Sequence, residues 1–250
     1  MAYSGGVDSV LLAKVAHDEL GGRMLAAIAD SPSLPRLELA EARSVAERFG
    51  FPLEILRTGE FADPDYAQNP PNRCYFCKHE LFSQLVPLAR ERGLAVIAYG
   101  ENASDLGDHR PGALAATQFA VRAPLKEAGF TKAQIRSYSA QLGLPTADKP
   151  QMACLASRIP YGQTVTAEKT GMIERAEQVL RGMGFYDVRV RHHQEGPRAS
   201  VEVGVDELPR LRAQETWPAI EASLRGIGYA LVDRDELGYR RGHWNAGQPR

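Results

Sequence analysis

The sequence predicts an α/β fold, a parallel sheet with helices on both faces, followed by a smaller C-terminal α+β domain. Three observations predict it. A glycine-rich hexapeptide, Ser4-Gly5-Gly6-Val7-Asp8-Ser9, opens a helix almost at the first residue. Short apolar runs then alternate with helical periodicity, the signature of strands joined by helical crossovers. After Thr166 the pattern restarts with a helix and two strictly alternating strands.

Taken in order, Leu12, Ala16 and Leu20 recur at helical spacing until Gly21-Gly22 ends the helix. Met24 to Ala29 reads as a buried strand. Only Met1 to Tyr3 precede the glycine loop. Either the opening strand is very short or the chain begins upstream of this numbering, and the second is expected. Pro35 starts the next helix, with Ala42, Val45, Ala46 and Phe49 on one face and Gly50 at its end. Phe51 to Leu56 is a strand, and residues 59–73 form a polar loop. A helix through Leu81, Leu85 and Leu88 leads to a strand from Ala95 to Tyr99. Residues 101–130 are punctuated by Gly and Pro, 131–142 form a helix, and 144–165 are irregular. The restarted pattern carries a helix through Ile173, Ala176 and Leu180. Strands follow at Val188–Val190 and Val201–Val205, then more helix and a last strand from Tyr229 to Val232. The expected domains are 1–150 and 151–250.

Composition bounds the function. The chain has 250 residues, 44% hydrophobic and 24% charged, enough apolar material for a core without disulfides. Net charge is -1, from 30 Lys and Arg against 31 Asp and Glu, which argues against a dedicated nucleic-acid binder. No apolar run approaches the ~20 residues of a membrane span, and no signal peptide precedes the first motif. Cys74, Cys77 and Cys154 are the three cysteines, an odd count that makes a poor disulfide framework. A cytoplasmic protein with no membrane partner is expected, and a homo-oligomer.

A strand, the Ser4–Ser9 hexapeptide and a helix make a phosphate-binding arrangement. Gly5 and Gly6 let backbone amides approach an anion, and the helix adds its unpaired N–H groups and positive dipole end. Ser4 and Ser9 add hydroxyls; Asp8 is placed to bind a metal bridging the phosphates or to cap the helix. The plain alternative is a tight strand-to-helix turn. The hexapeptide has neither the lysine of G-x-x-x-x-G-K-[ST] nor the spacing of G-x-G-x-x-G.

Cys74-Tyr75-Phe76-Cys77 is placed after a loop and just before a helix, where thiolates are favoured. Two buried structural cysteines are the plain alternative. A structural zinc wants four ligands; His79 is close, but no paired-histidine pattern accompanies it. A [4Fe–4S] cluster on three cysteines fits the count better. Cys154 lies in a polar segment beside Arg158, a setting suited to reactivity.

The hexapeptide matches the pyrophosphate loop of the PP-loop ATP-pyrophosphatases. Several further segments together resemble the LarE family of ATP-dependent sulfur transferases. They are D-S-P-S-L-P at 30–35, N-R-C-Y-F-C-K at 72–78, G-E-N-A-S-D-L-G-D-H-R-P-G at 100–112 and A-P-L-K-E-A-G-F-T-K at 123–132. D-K-P-Q-M-A-C-L-A-S-R-I-P-Y-G at 148–162, V-R-V-R-H-H at 188–193 and L-G-Y-R-R-G at 237–242 complete the set. The resemblance implies ATP and Mg²⁺ as cofactors and a small-molecule nucleotide acceptor, pyridinium-3,5-biscarboxylic acid mononucleotide. Its carboxylates are adenylated and converted to thiocarboxylates in making the nickel-pincer nucleotide of lactate racemase. In one branch the cysteine matching Cys154 surrenders its sulfur. In another, three cysteines matching Cys74, Cys77 and Cys154 resemble ligands of a [4Fe–4S] cluster. The three-cysteine pattern here favours the cluster.

The resemblance also implies roles for single residues. Cys154 and Glu177 are the candidate catalytic pair, Glu177 moving protons, although a surface glutamate is the plainer reading. Asp105, Ser157, Arg158, Arg189, Arg191, Asp235 and Arg240 are the candidate acceptor-binding set. Arg189 and Arg191 alternate with Val188 and Val190, so both project from one strand face, suited to a phosphate or simply solvated. Asn102, Asp105 and Asp108 follow a strand's carboxyl end, where open α/β sheets bind ligands. Tyr239 is placed to close over the acceptor or to pack. The competing readings are a PP-loop tRNA thiolase, an ammonia-using adenylating ligase, and a non-enzymatic nucleotide-binding regulator.

Overall fold

The computed structural model describes residues 1–105, 111–193 and 197–239. The chain divides into two compact units, Met1–Tyr66 with Pro71–Ala153, and Ala67–Pro70 with Cys154–Arg250.

The first unit is built on a parallel sheet. Helix α1 (Val7–Leu20) leads to β1 (Ala26–Asp30), α2 (Arg36–Phe49) and β2 (Leu53–Arg57), and β1 and β2 pair in parallel, Ala26 opposite Leu53. Single bridges extend this sheet. Ala2 pairs in parallel with Ala27, the Ala2 amide donates to the Ala98 carbonyl at 2.8 Å, and Ala98 bridges Arg122 in parallel. The order across the sheet is therefore β2, β1, residues 1–3, residues 97–99 and Arg122. The Ala95–Tyr99 run expected as a full strand makes only the Ala98 bridge, because its neighbours on both sides are equally short. Alternation along β1 assigns the two faces. Ala26 and Ile28 pack with Val10 and Leu11 of α1 and Ala42 and Val45 of α2, whereas Ala27 packs with Phe82 and Leu85 from the other side.

The remaining helices follow the sequence signals. After α3 (Pro64–Ala67), α4 spans Arg73–Glu91, α5 Pro111–Gln118, α6 Pro124–Glu127 and α7 Lys132–Gln141. Helix α7 begins with a capping box, Thr131 and Gln134 exchanging side-chain and backbone hydrogen bonds. Helix α4 starts earlier than expected, so Cys74 and Cys77 lie within its first two turns rather than before it.

The second unit is an α+β layer. Helix α8 (Ala167–Gly182) precedes β3 (Val188–His193) and β4 (Arg198–Val203), which pair antiparallel; α9 (Leu208–Arg212), α10 (Thr216–Ile227) and β5 (Leu231–Arg234) follow, with β5 parallel to β4. Val188, Val190, Val201 and Val203 face Ala176 and Leu180 of α8 and Ile220 and Leu224 of α10. Arg189 and Arg191 take the opposite face of β3. Asn69, fully buried and left-handed at φ 57°, fixes the segment after the Cys154 turn: its amide donates to the carbonyls of Ile159 (3.1 Å) and Pro160 (2.8 Å).

No helix among the described residues is long and apolar enough to cross a membrane.

Candidate functional site

In the first unit the Ser4–Ser9 hexapeptide connects residues 1–3 of the sheet to α1. Gly6 is the residue before the helix and no side chain caps it, so the leading amides are open to an anion. Two hydroxyls shape the loop. Ser9 Oγ donates to the Gly6 carbonyl (3.1 Å) and accepts from the Ser4 amide (3.1 Å), and the Ser4 and Ser9 hydroxyls lie 3.1 Å apart. Gly5 sits at φ +71°, and a Cβ there would lie 2.7 Å from the Cβ of Ala42, so α2 packs directly behind the loop. Tyr3 reinforces that packing, its hydroxyl donating to the Ala42 carbonyl at 3.1 Å.

A cleft of about 190 Å³ opens beside the loop, lined by Ser4, Asp8, Ser9, Lys78, Tyr99 and Glu101 among others. It lies at the carboxyl end of parallel strands. Gly100 makes it possible: a Cβ there would lie 2.9 Å from the Ser9 amide nitrogen. The cleft wall is charged. Lys78 Nζ stands 4.5 Å from the centre of the Tyr99 ring, Tyr99 hydrogen-bonds Glu101, and Lys126 pairs with Glu101 at 3.3 Å.

Asp8 is held from two sides. Lys132, the first residue of α7, reaches it at 2.5 Å, and Asn102 donates one amide to Asp8 (3.2 Å) and to Asp105 (3.0 Å). Asp105 thus belongs to the neighbourhood of the loop. Lys132, Lys78 and Gly100 fall inside segments that carry the family resemblance, but sequence reasoning gave none of them a role of its own. Their place in those segments was one available signal, and the lysine missing from the hexapeptide, which leaves its cations to other elements, was another. Asp108 lies outside the described residues, as does Arg240.

Cys74 and Cys77 stand one turn apart at the start of α4, Cys74 exposed and Cys77 half-buried. Among the described residues no group of three or more His, Cys, Asp or Glu is arranged to hold a metal ion.

In the second unit Cys154 is exposed and immediately precedes a short 3₁₀ turn, Leu155–Arg158. Arg158, the arginine beside it, is fully buried. Its Nε donates to Glu177 at 2.8 Å, and its Nη1 to the Cys154 carbonyl (3.1 Å) and Ser157 Oγ (3.0 Å). Glu177 is 1% exposed, not a surface residue, because Arg158, Arg181 and the Val190 amide all converge on it.

The solvated-face reading of β3 fails as well. Arg189 and Arg191 are 4% and 8% exposed. Arg191 meets both oxygens of Glu202 at 3.0 Å and donates Nη1 to the Ser157 carbonyl at 2.9 Å. Glu202 had no sequence signal. Arg189 donates to the Val188 carbonyl (2.7 Å), pairs with Asp187 (3.4 Å) and lies 4.7 Å from the Tyr239 ring centre. Burial and the neighbouring Arg158 guanidinium push Arg189 below its ordinary value, so an added anion would relieve it. Asp235 is half-buried and its carboxylate accepts from the Leu237 amide at 2.7 Å, a turn-fixing bond that the acceptor-binding expectation did not include.

Comparison with known proteins agrees with this chemistry. No protein-family model matches the chain. An uncharacterised protein of Synechocystis is 42% identical over 98% of this chain and 91% of its own length. Pyridinium-3,5-bisthiocarboxylic acid mononucleotide synthase of Lactiplantibacillus plantarum is 32% identical over 98% of this chain and 88% of its own. The tRNA-specific 2-thiouridylase MnmA of Azorhizobium caulinodans is 30% identical over 66% of this chain and 52% of its own. With the Ser4–Ser9 loop, its cleft and a near full-length relative in hand, the chain belongs to the LarE family of ATP-dependent sulfur transferases of the PP-loop superfamily.

Proposed function

We propose that this sulfur transferase adenylates a carboxylate of pyridinium-3,5-biscarboxylic acid mononucleotide and converts it to a thiocarboxylate, in assembly of the nickel-pincer nucleotide. The observation that carries this reading is the Ser4–Ser9 loop set against its cleft, in a chain whose near full-length relative is the synthase of the bisthiocarboxylic acid.

A carboxylate oxygen of the acceptor attacks the α-phosphorus of ATP, the bond to the β-phosphate oxygen breaks, and pyrophosphate leaves. Ser4, Gly5, Gly6 and Ser9 hold the departing anion through amides and hydroxyls, and Lys132 and Lys78 supply charge that the loop lacks. Asp8 and Asp105 offer hard oxygen donors that fit Mg²⁺ carried in with the nucleotide. Sulfur then attacks the acyl carbon, and AMP departs with the C–O electron pair. Arg189, with Tyr239 against it, is the cation proposed for the acceptor's phosphate, with Ser157, Arg158, Asp235 and Arg240 nearby in sequence or space.

Three thiols at or near the surface, two of them one helical turn apart, are soft donors of the kind an iron–sulfur cluster takes, and among the described residues no three such groups are arranged to hold a metal ion. A [4Fe–4S] cluster, held by Cys74, Cys77 and Cys154, would supply a sulfide for transfer; otherwise Cys154 would give its own sulfur. Anaerobic purification with iron and sulfide assays, and intact mass after turnover, separates the routes. About four irons per chain supports the cluster, and a spent protein lighter by one H₂S supports the sacrificial route. Failure to form the thiocarboxylate from ATP and this acceptor by either route would overturn the proposal. The likeness to MnmA over part of the chain keeps one second reading, a tRNA thiolase, which filter binding with bulk tRNA tests.

A further inference from the structure

The turn that presents Cys154 is short. Two backbone bonds close it, Ser157 N–H to the Cys154 carbonyl (2.9 Å) and Ile159 N–H to the Ala156 carbonyl (3.2 Å), and no side chain caps its start. A single 3₁₀ turn of this kind is weak alone. Yet Leu155 and Ala156 are buried while Cys154 stands exposed, so the turn is seated on a support.

We propose that two buried arginine–carboxylate pairs, Arg158–Glu177 and Arg191–Glu202, form a cradle that fixes the Cys154 turn, with Glu177 and Glu202 as positioning residues for sulfur transfer. The proposal rests on the reading that Cys154 donates the sulfur or helps to hold it. One pair grips the turn at its start: Arg158 reaches the Cys154 carbonyl and the Ser157 hydroxyl. The other grips the end, since Arg191 reaches the Ser157 carbonyl. Each carboxylate is anchored on a different element, Glu177 on α8 and Glu202 on β4.

Occupancy decides between positioning and proton transfer. The Glu177 carboxylate receives Arg158 Nε (2.8 Å) and Nη2 (3.3 Å), Arg181 Nη2 (3.4 Å) and the Val190 amide (3.2 Å). A base that collects substrate protons needs an oxygen turned to the substrate, and this one is turned to four donors. All three nitrogens of Arg191 are likewise engaged, two by Glu202 and one by Ser157. Buried ion pairs of this kind contribute little net stability against apolar substitutes of the same size. What they add here is direction, three fixed hydrogen bonds aimed at one short turn and the cysteine before it.

The test separates adenylation from transfer. In the purified holoenzyme, Glu202→Gln should leave ATP–pyrophosphate exchange and the acceptor's KM within about twofold of the parent. Thiocarboxylate formation in a single turnover should fall at least tenfold. The paired change Arg191→Met with Glu202→Leu should recover melting temperature but not transfer. Transfer that survives in Glu202→Gln, or that returns with the melting temperature in the paired variant, overturns the cradle. A second measurement covers variants that fold poorly. With Cys74→Ser and Cys77→Ser leaving one thiol, Ser157→Ala, which removes only the hydroxyl that Arg158 grips, should change iodoacetamide alkylation of Cys154 several-fold. An unchanged rate overturns the cradle too. If Cys154→Ser still transfers sulfur, the reading of Cys154 fails instead, and the alkylation result still judges the cradle.

Discussion

The loop after Tyr3 and the turn after Ala153 are held in place by different means. The loop is made of backbone: a left-handed Gly5, a Gly100 strand end pressed on Ser9, and two serine hydroxyls that fold it. Its cations arrive from outside, on α4 and α7. The turn is held by side-chain charge, with Arg158, Glu177, Arg191 and Glu202 all buried. An added atom therefore breaks the first region, and a removed charge breaks the second.

The largest effect is expected from removing a charge. Glu177→Ala strands Arg158 as a fully buried guanidinium without its counter-ion. Breaking one side of a buried pair costs about 3–5 kcal/mol, and urea unfolding of the purified protein should show a loss of that order. A loss below about 1 kcal/mol would mean that Arg158 finds water, and that the pair does not hold the turn.

Next comes the added atom. Gly5→Val places a branched Cβ in left-handed backbone, at about 1–2 kcal/mol, and drives it into Ala42, at about 1–3 kcal/mol more. ATP–pyrophosphate exchange should vanish. Gly6→Ala is the control, since its Cβ would meet only Ser4 Oγ at 3.5 Å and its φ is -82°. Near-parent exchange in Gly6→Ala, with loss in Gly5→Val, sharpens the contrast. Equal loss in both would place the requirement on anion approach to Gly6, as the sequence alone had suggested.

A smaller effect tests how Lys132 is presented. Thr131→Ala removes the capping hydroxyl one residue before it and should cost about 1 kcal/mol. Lys132 pairs with Asp8 from that helix start, so the KM for ATP should rise while kcat changes less. An unchanged KM would mean that the lysine finds Asp8 without the cap.

The same contrast explains what could be read from the chain. Loop, helices and strands announced themselves through neighbours in sequence: Gly5-Gly6 before a helix, Gly50 after one at φ +73°, valines alternating along β3 and β4. The partners that complete each region are distant in sequence. Lys132 meets Asp8 across 124 residues and Asn69 meets Ile159 across 90. The plainer of the two readings of Glu177 put it at the surface because glutamates mostly are. It is buried because an arginine 19 residues earlier neutralises it, and nothing in the local pattern of α8 says so. Arg189 and Arg191 showed their shared face through alternation, but not that Glu202 occupies one of them.

The smallest effect concerns acid, and it falls on the second unit. His192 is 4% exposed, beside Tyr229, and its pKa is lowered to about 4 by burial first and then by Lys169 and His193. The folded state therefore binds this proton less readily than the unfolded chain, whose histidine titrates near 6.5. Between those values the unfolded state holds more protons, so stability rises with pH through the window and is lost as pH falls from about 6.5 toward 4. At pH 6 the loss stays below about 1 kcal/mol. Melting temperatures measured from pH 7 down to pH 6 should decline, and His192→Gln, which cannot take the proton, should flatten that decline. Trp217, packed against the same core, offers a fluorescence signal for this unit. If His192→Gln leaves the slope unchanged, the acid sensitivity belongs to other groups, and the half-buried His193 on the arginine face is the next to replace.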